Sequence, residues 1–460
     1  MGQIPLALAD LLIADAELLV ICDTGRREIP RGWVAISDGV VSAVGAGIPP
    51  PAAVVVDARG CLVTPGLVNT HHHLFQNLTR AFAATANLSL FGWLRALYPR
   101  WAGIDAEASY LATWVGLVEL ALGGATTTAD HLYIAPRGGG DLWSAQAVAA
   151  REVGVRLHLT RGSMSLATSA GGLAPPELVQ DDDEVLADCE RLVGALHERS
   201  RGALIQVGLA PCAPFNVRPE LMRATAELAE RLDVRMHTHL AEDPEDDAWC
   251  RARYGRSPVE HFDDLGWLGP RSWVAHCIHP SPAEVTALGA AGVGVAHCPS
   301  SNMILGGGGI CPVRDLRAAG SPVGLGCDGS SSNDAASLWL EARTALLLGR
   351  QRCGPTGMSA RDVLEMATRG GAACLGRAGE LGELSVGSAG DLVVWAQQGV
   401  GFAGAGSDPV EAWLRCGPAA ARDTVVAGRF VVRDGVPTHP AVAETVRRHR
   451  AVAARLQRIE

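Results

Sequence analysis

The chain has 460 residues, 48% of them apolar and 19% charged, and a net charge of −10. This composition packs a large globular core and leaves little room for disorder; with no basic block it excludes a phosphate-backbone partner such as nucleic acid. All 39 basic residues are arginine, which excludes a phosphate-loop lysine, a Schiff-base lysine and a carboxylated-lysine metal bridge.

The opening stretch MGQIPLALADLL lacks the basic start of a secretory signal, and Leu6 stands where a myristoylation site needs Ser or Thr. Twelve cysteines without a CxxC pair are expected as reduced thiols in the cytoplasm, not as thiolate metal ligands. In GWVAISDGVVSAVG (32–45) two short strands flank an Asp38–Gly39 turn, and AVVVDARGCLVTPG (53–66) continues as strand, turn and strand. The apolar stretch 110–129 approaches membrane-spanning length, but Glu119, Gly123, Gly124 and the three successive threonines 126–128 fit a buried helix running into a strand.

Eight strand-like runs alternate with helical segments: GLVNTHH, ATTTADH, VRLHLTR, LIQVGLAPC, VRMHTHL, SWVAHC, VGVAHCPS and VGLGCDG. Eight βα units in series predict an α/β fold, a (β/α)8 TIM-type barrel over residues 65–377, with its chemistry at the C-terminal strand ends. The loop 171–184, with its acidic run, reads as a solvated face or as a lid over the barrel mouth. Strand texture returns in AGDLVVWA (389–396) and DTVVAGRFVVRDG (423–435). Residues 1–64 and 378–460 are therefore expected to form one small β-sandwich domain from both ends of the chain, closed by a C-terminal helix.

The chemistry begins at VNTHHHLFQ (68–76). Strand side chains alternate faces, so His71 and His73 project together and His72 points the other way. Two neutral imidazoles make half of a divalent-metal site. Other strand ends supply more: His239 and Glu242 in MHTHLAE, His276 in VAHCIH and Asp328 in GLGCDGSSSND. Each alone reads as structural; their position at the same end of successive strands makes the set a metal-site candidate. His131, His237, His279 and His297 also lie near strand ends, and His237 shares a face with His239.

Competing patterns are weak. GLGCDG (324–329) matches GxGxxG but lies late in the chain, without an acidic residue about 20 positions on. HExxH, GxSxG and the zinc-deaminase pattern H-x-E…P-C-x-x-C do not occur. A nicotinamide oxidoreductase rests on that GxGxxG alone, and a non-catalytic ligand-binding barrel would call for a site with members missing.

These residues resemble the amidohydrolase superfamily, in its cytosine/guanine-deaminase and triazine-hydrolase branch. The likeness runs through PGLVNTHHH, HTHLAE, VAHC, VAHCPSSNMIL and DGSSSND. It implies one divalent ion, Zn or Fe, on His71, His73, His239 and Asp328. It also implies that Asp328 takes the proton of a nucleophilic water, His276 orients that water and Glu242 protonates a ring nitrogen. Within the branch, TRGSMSL (160–166) and LAPCAPF (209–215) are most similar to the 8-oxoguanine deaminases, with isoxanthopterin deaminases and s-triazine hydrolases as relatives. Gln76 matches a purine-contacting glutamine, and Arg161 is expected either to face a substrate carbonyl or to sit in a salt bridge under a loop. Cys327 departs from the apolar residue usual before the aspartate. Trp93 and Tyr98 are expected to wall the pocket or to pack the core. A small heterocyclic substrate, a homo-oligomer and no membrane partner complete the expectation.

Overall fold

A computed structural model describes residues 8–459. Five strands come first: β1 (Ala9–Val20), β2 (Glu28–Ser37), β3 (Val40–Ala46), β4 (Ala52–Asp57) and β5 (Cys61–Pro65). The eight apolar runs follow as β6 (Leu67–Asn69), β7 (Ala125–Leu132), β8 (Arg156–Ser163), β9 (Ile205–Pro211), β10 (Met236–Leu240), β11 (Ser272–His276), β12 (Gly294–His297) and β13 (Val323–Leu325). They close into one barrel in chain order, β13 returning to β6, with every neighbouring pair parallel. The stretch 110–129 is the buried helix Ala106–Leu122 running into β7. Among the described residues no helix is long and apolar enough to cross a membrane.

The ends of the chain meet in a nine-stranded sheet with β14 (Leu392–Ala396), β15 (Asp423–Val426), β16 (Arg429–Arg433) and β17 (Val436–Pro437). β14 pairs antiparallel with β5, which joins the C-terminal strands to the N-terminal ones. In place of two separate sheets, one hydrogen-bonded sheet runs through β1. The first half of β1 pairs with β4 and its second half with β5, on either side of a register shift between Ile13 and Ala16. Asp15 sits there at φ +57°, the conformation of a bulge that bends a strand. Leu11, Ile13, Leu19, Val34, Val63, Leu392 and Val425 pack as this domain's own core.

Arg156, the first residue of β8, reaches Asp391 through two hydrogen bonds of 2.7 and 3.0 Å, and both side chains are buried. The sheet is thereby fixed to the N-terminal ends of the barrel strands, and the C-terminal ends are left for the site. The acidic run that ends the 171–184 stretch turns helical from its second residue: Asp181 caps the helix Asp182–Leu196 by accepting from Asp183 and Glu184 backbone N–H groups. Its carboxylates stand at a helix N-terminus, where the dipole favours them.

Candidate metal centre

The β6 strand ends at Asn69, yet the chain stays extended through the histidine triplet. On one side Thr70 N–H donates to Leu325 O and Asp328 N–H to His71 O; on the other His131 N–H donates to His72 O. Bonds to both neighbouring strands preserve the alternation beyond the assigned strand. His71 and His73 point into the barrel mouth, and His72 is fully buried with neither ring nitrogen hydrogen-bonded among the described residues. Burial first, and then neighbouring His73, depresses the His72 pKa to about 3.

Three strand exits turn sharply at non-glycine residues in the left-handed region: Ala241 at φ +50°, His276 at +71° and Asp328 at +60°. Such positions cost about 1–3 kcal/mol each and concentrate where a side chain must be aimed. Here they turn Glu242, His276 and Asp328 toward the barrel axis. Gly329 makes room beside them, since a Cβ there would lie 1.8 Å from Gln76 Oε1.

The imidazoles meet as bare lone pairs. His73 Nδ1 lies 2.6 Å from His131 O and His239 Nδ1 lies 2.7 Å from Cys212 O. A carbonyl only accepts, so in the neutral form both rings carry their proton on Nδ1 and present a bare Nε2. Those two Nε2 atoms face each other at 3.1 Å, where no hydrogen bond is possible. His71 follows by one more step. His237 Nδ1–H donates to Trp273 O at 2.9 Å, so His237 Nε2 accepts from His71 Nδ1–H at 2.7 Å. His71 Nε2 is left bare and without a partner.

Asp328 Oδ1 lies 3.2 Å from both His71 Nε2 and His73 Nε2. Three lone pairs and a carboxylate oxygen thus converge with nothing positive between them. Burial drives the His71 and His239 pKa values well below the ordinary range, so protons are disfavoured as the missing charge. A tetrahedral ion with bonds of about 2.0–2.1 Å sets its ligand atoms roughly 3.3 Å apart, close to the 3.1 Å between His73 and His239 and the 3.2 Å from Asp328 to His71 and His73. His71, His239, His276 and Asp328 fall within one 4.8 Å grouping, and His71, His73, His131 and His239 within another. His131 gives its Nε2–H to Ala210 O at 2.8 Å and brings no negative charge. Its main contribution is the backbone carbonyl that holds His73. Cys327 stays out of both groupings.

His276 and Glu242 stand beside this cluster. His276 Nδ1–H donates to Asn302 Oδ1 at 2.8 Å, so its bare Nε2 faces Glu242 Oε1 at 3.5 Å and Asp328 Oδ2 at 3.9 Å. Burial, then the charges of Asp328, Asp246 and Asp243, raises the Glu242 pKa well above the carboxylate range. That direction favours the protonated acid. Asp328 Oδ2 accepts from Ser301 Oγ at 2.5 Å and Ser332 Oγ at 3.2 Å, while Oδ1 accepts from Gly329 N–H at 2.7 Å.

A pocket opens on these groups. Leu90, Trp93, Leu94, Phe215 and Leu305 give it apolar walls; Gln76, Tyr133, Cys212, Glu242 and Ser332 are its polar members. Trp93 is thus a wall, while Tyr98 packs in the core and accepts from Asn216 Nδ2 at 2.7 Å. Gln76 reaches the cavity with Oε1 unpartnered. Arg161 sits in the salt bridge that was its other expected place. Its guanidinium bonds Asp188 at 2.9 Å and Gln180 at 3.0 Å and lies over Trp143, tied under a loop and outside the cavity lining.

Sequence reasoning passed over Ser301, Ser332 and Asn302, which hold Asp328 and His276. All three sit in stretches already singled out, but serine and asparagine near a turn carry no distinguishing signal. Cys212 was also missed, because its contribution is a backbone carbonyl.

The buried histidines set how stability depends on pH. His72 and His297 have pKa values lowered to about 3 and about 4, and His131, His158 and His237 lie well below the ordinary value, all chiefly through burial. The unfolded chain binds these protons as pH falls through about 6.5, and the folded chain does not. Stability from these five is complete above that pH and lost below it. Buried Asp130 (raised to about 6), Asp246 and Glu341 (each raised to about 7), Asp243 and Glu242 act in the opposite sense, but burial also lowers His71, His239, His261 and His449, so the histidines outnumber the carboxyls. The urea midpoint of the metal-free protein is expected to drop between about pH 7 and pH 5; a rise over that interval would contradict the neutral-histidine assignment.

The sequence pattern of the Amidohydrolase family matches residues 62–449. The chain is 48% identical over 428 residues to 8-oxoguanine deaminase of Pseudomonas aeruginosa, covering 92% of this chain and 95% of that protein. It is 37% identical over 434 residues to hydroxydechloroatrazine ethylaminohydrolase of a Pseudomonas species, covering 93% and 86%. Atrazine chlorohydrolase of Arthrobacter aurescens, solved in complex with zinc, superposes with a TM-score of 0.92 at 32% identity, covering 96% of this chain and all of that one. With its closed barrel, its terminal sheet and the histidine–aspartate cluster at the strand ends, the chain belongs to the amidohydrolase family.

Proposed function

We propose that this chain is a metal-dependent hydrolytic deaminase acting on 8-oxoguanine, which it converts with water into uric acid and ammonia. The observation that carries the reading is the convergence of three imidazole lone pairs and Asp328 beside the buried Glu242, whose pKa burial raises. The 48% identity to an 8-oxoguanine deaminase over most of both chains supports the substrate.

His71, His73, His239 and Asp328 would hold one divalent ion, zinc being the first choice and iron the second. When bound, such an ion acts as a Lewis acid that makes a water nucleophilic at neutral pH. Asp328 accepts that water's proton, kept in orientation by Ser301 and Ser332 on Oδ2. His276 Nε2, bare and aimed into the site, accepts the water's second hydrogen and fixes its direction. Glu242 gives its proton to the ring nitrogen next to C2 as oxygen attacks that carbon. The proton on Asp328 then leaves with the amino group as ammonia. The hydroxyl proton left on the carbon returns to Glu242, with His276 at 3.5 Å as its path. Gln76, with its free Oε1, reads the edge of the heterocycle, and Trp93 and Phe215 cover its faces. The twelve unpaired cysteines support a reducing, cytoplasmic setting.

Metal-replete protein is expected to release ammonia from 8-oxoguanine, to hold about one divalent ion per chain and to lose turnover when a chelator strips it. Turnover of isoxanthopterin or hydroxylated triazines without 8-oxoguanine would reassign the substrate and keep the mechanism. A chain that holds no ion and deaminates none of these would sink the reading.

A further inference from the structure

We propose that His237 is a positioning residue: it fixes the tautomer of His71 and so holds the His71 Nε2 lone pair on the metal. The proposal rests on the metal reading above. His237 lies two residues before His239 on the same strand face, one layer deeper in the barrel, and is 1% exposed.

The hydrogen-bond polarity there runs one way. Trp273 O can only accept, so it takes the His237 Nδ1 proton at 2.9 Å; His237 Nε2 then takes the His71 Nδ1 proton at 2.7 Å. The other His71 tautomer, with its proton on Nε2, would require His237 to donate from Nε2 and abandon Trp273 O. The bare His237 Nδ1 would then face Trp273 O at 2.9 Å as two buried acceptors with no proton between them, at a cost comparable to a lost hydrogen bond.

The arrangement also closes on itself. The His237 ring stacks on Trp273 with centroids 4.4 Å apart and planes at 18°, and Trp273 Nε1–H donates to Thr70 O at 3.0 Å. Thr70 precedes His71, so one tryptophan holds both the backbone before His71 and the imidazole behind it. His73 and His239 are locked by backbone carbonyls directly. His71 alone of the three uses a side chain for this purpose, so its lock can be removed by substitution.

Three variants test the assignment. His237→Phe keeps the stacking surface and removes the acceptor. His237→Gln places an amide oxygen near the Nε2 position, and His237→Asn carries the same amide too short to reach it. Zinc affinity is read by chelator competition, the cobalt-substituted site by its visible absorption, and folding by the thermal midpoint of the metal-free form. Loss of a partner behind a metal-bound histidine costs about 10–100-fold in metal affinity. That loss is expected for Phe and Asn, with an altered cobalt spectrum and a metal-free midpoint lowered only by the lost Trp273 hydrogen bond and, for Asn, the lost stacking, and Gln is expected to restore most of the affinity. Wild-type affinity and spectrum in His237→Phe would overturn the proposal. If that variant does not fold, equal affinities in Gln and Asn would do so. Wild-type protein that binds no divalent ion would remove the metal reading itself, a result read without any variant.

Discussion

Replacing Asp328 by Asn is expected to lower kcat by at least about 10⁴-fold, the upper end of what a lost general base costs, and to weaken metal binding as well. The substitution keeps the shape and removes both the charge and the basic oxygen. The direction of the amide is set by its surroundings. Gly329 N–H donates at 2.7 Å to Oδ1 and cannot turn, whereas the hydroxyls on Oδ2 can rotate from donating to accepting. The asparagine oxygen therefore takes the Oδ1 place beside His71 and His73, and its NH2 faces Ser301 and Ser332. The site retains a neutral fourth ligand but no group able to take a proton from water. Metal content by elemental analysis and kcat on metal-saturated protein separate the two losses. Turnover within tenfold of wild type at full metal occupancy would remove Asp328 as the proton acceptor.

Glu242→Gln is expected to give the second largest effect, about 10³-fold in kcat, with metal content unchanged. Glu242 stands outside both metal groupings and touches the cluster only through His276 at 3.5 Å. Glutamine fits the same volume and cannot deliver the proton that burial and three neighbouring carboxylates favour on the native side chain. Metal lost along with activity would place Glu242 among the ligands. Unchanged activity would remove it from proton transfer.

Both predictions involve residues visible in the sequence, and the reasons are local. Each sits at the end of an apolar run, and a run of that kind can only be a buried strand whose polar exit faces an opening. The triplet shows how far such reasoning reaches. Period-two alternation picked His71 and His73 over His72, although β6 ends at Asn69; hydrogen bonds to β7 and β13 continue the extended path. The same alternation was silent about His237 and His239, which share a face. Depth in the barrel separates them: the upper ring reaches the cluster, and the lower one reaches the back of His71.

The sequence by itself determined the eight strands, their closure into a barrel and the end at which the polar residues collect, because spacing along one chain fixes which way each side chain points. Only the tertiary structure decided the partners. Ser301 and Ser332 on Asp328, Asn302 on His276, Asp188 drawing Arg161 from the pocket and the bend at Asp15 that joins two sheets into one all depend on distances between elements far apart in sequence. The tautomers belong to the same class. Which nitrogen of a histidine carries its proton is set by the nearest carbonyl, and here those carbonyls come from the neighbouring strand or the turn that follows it.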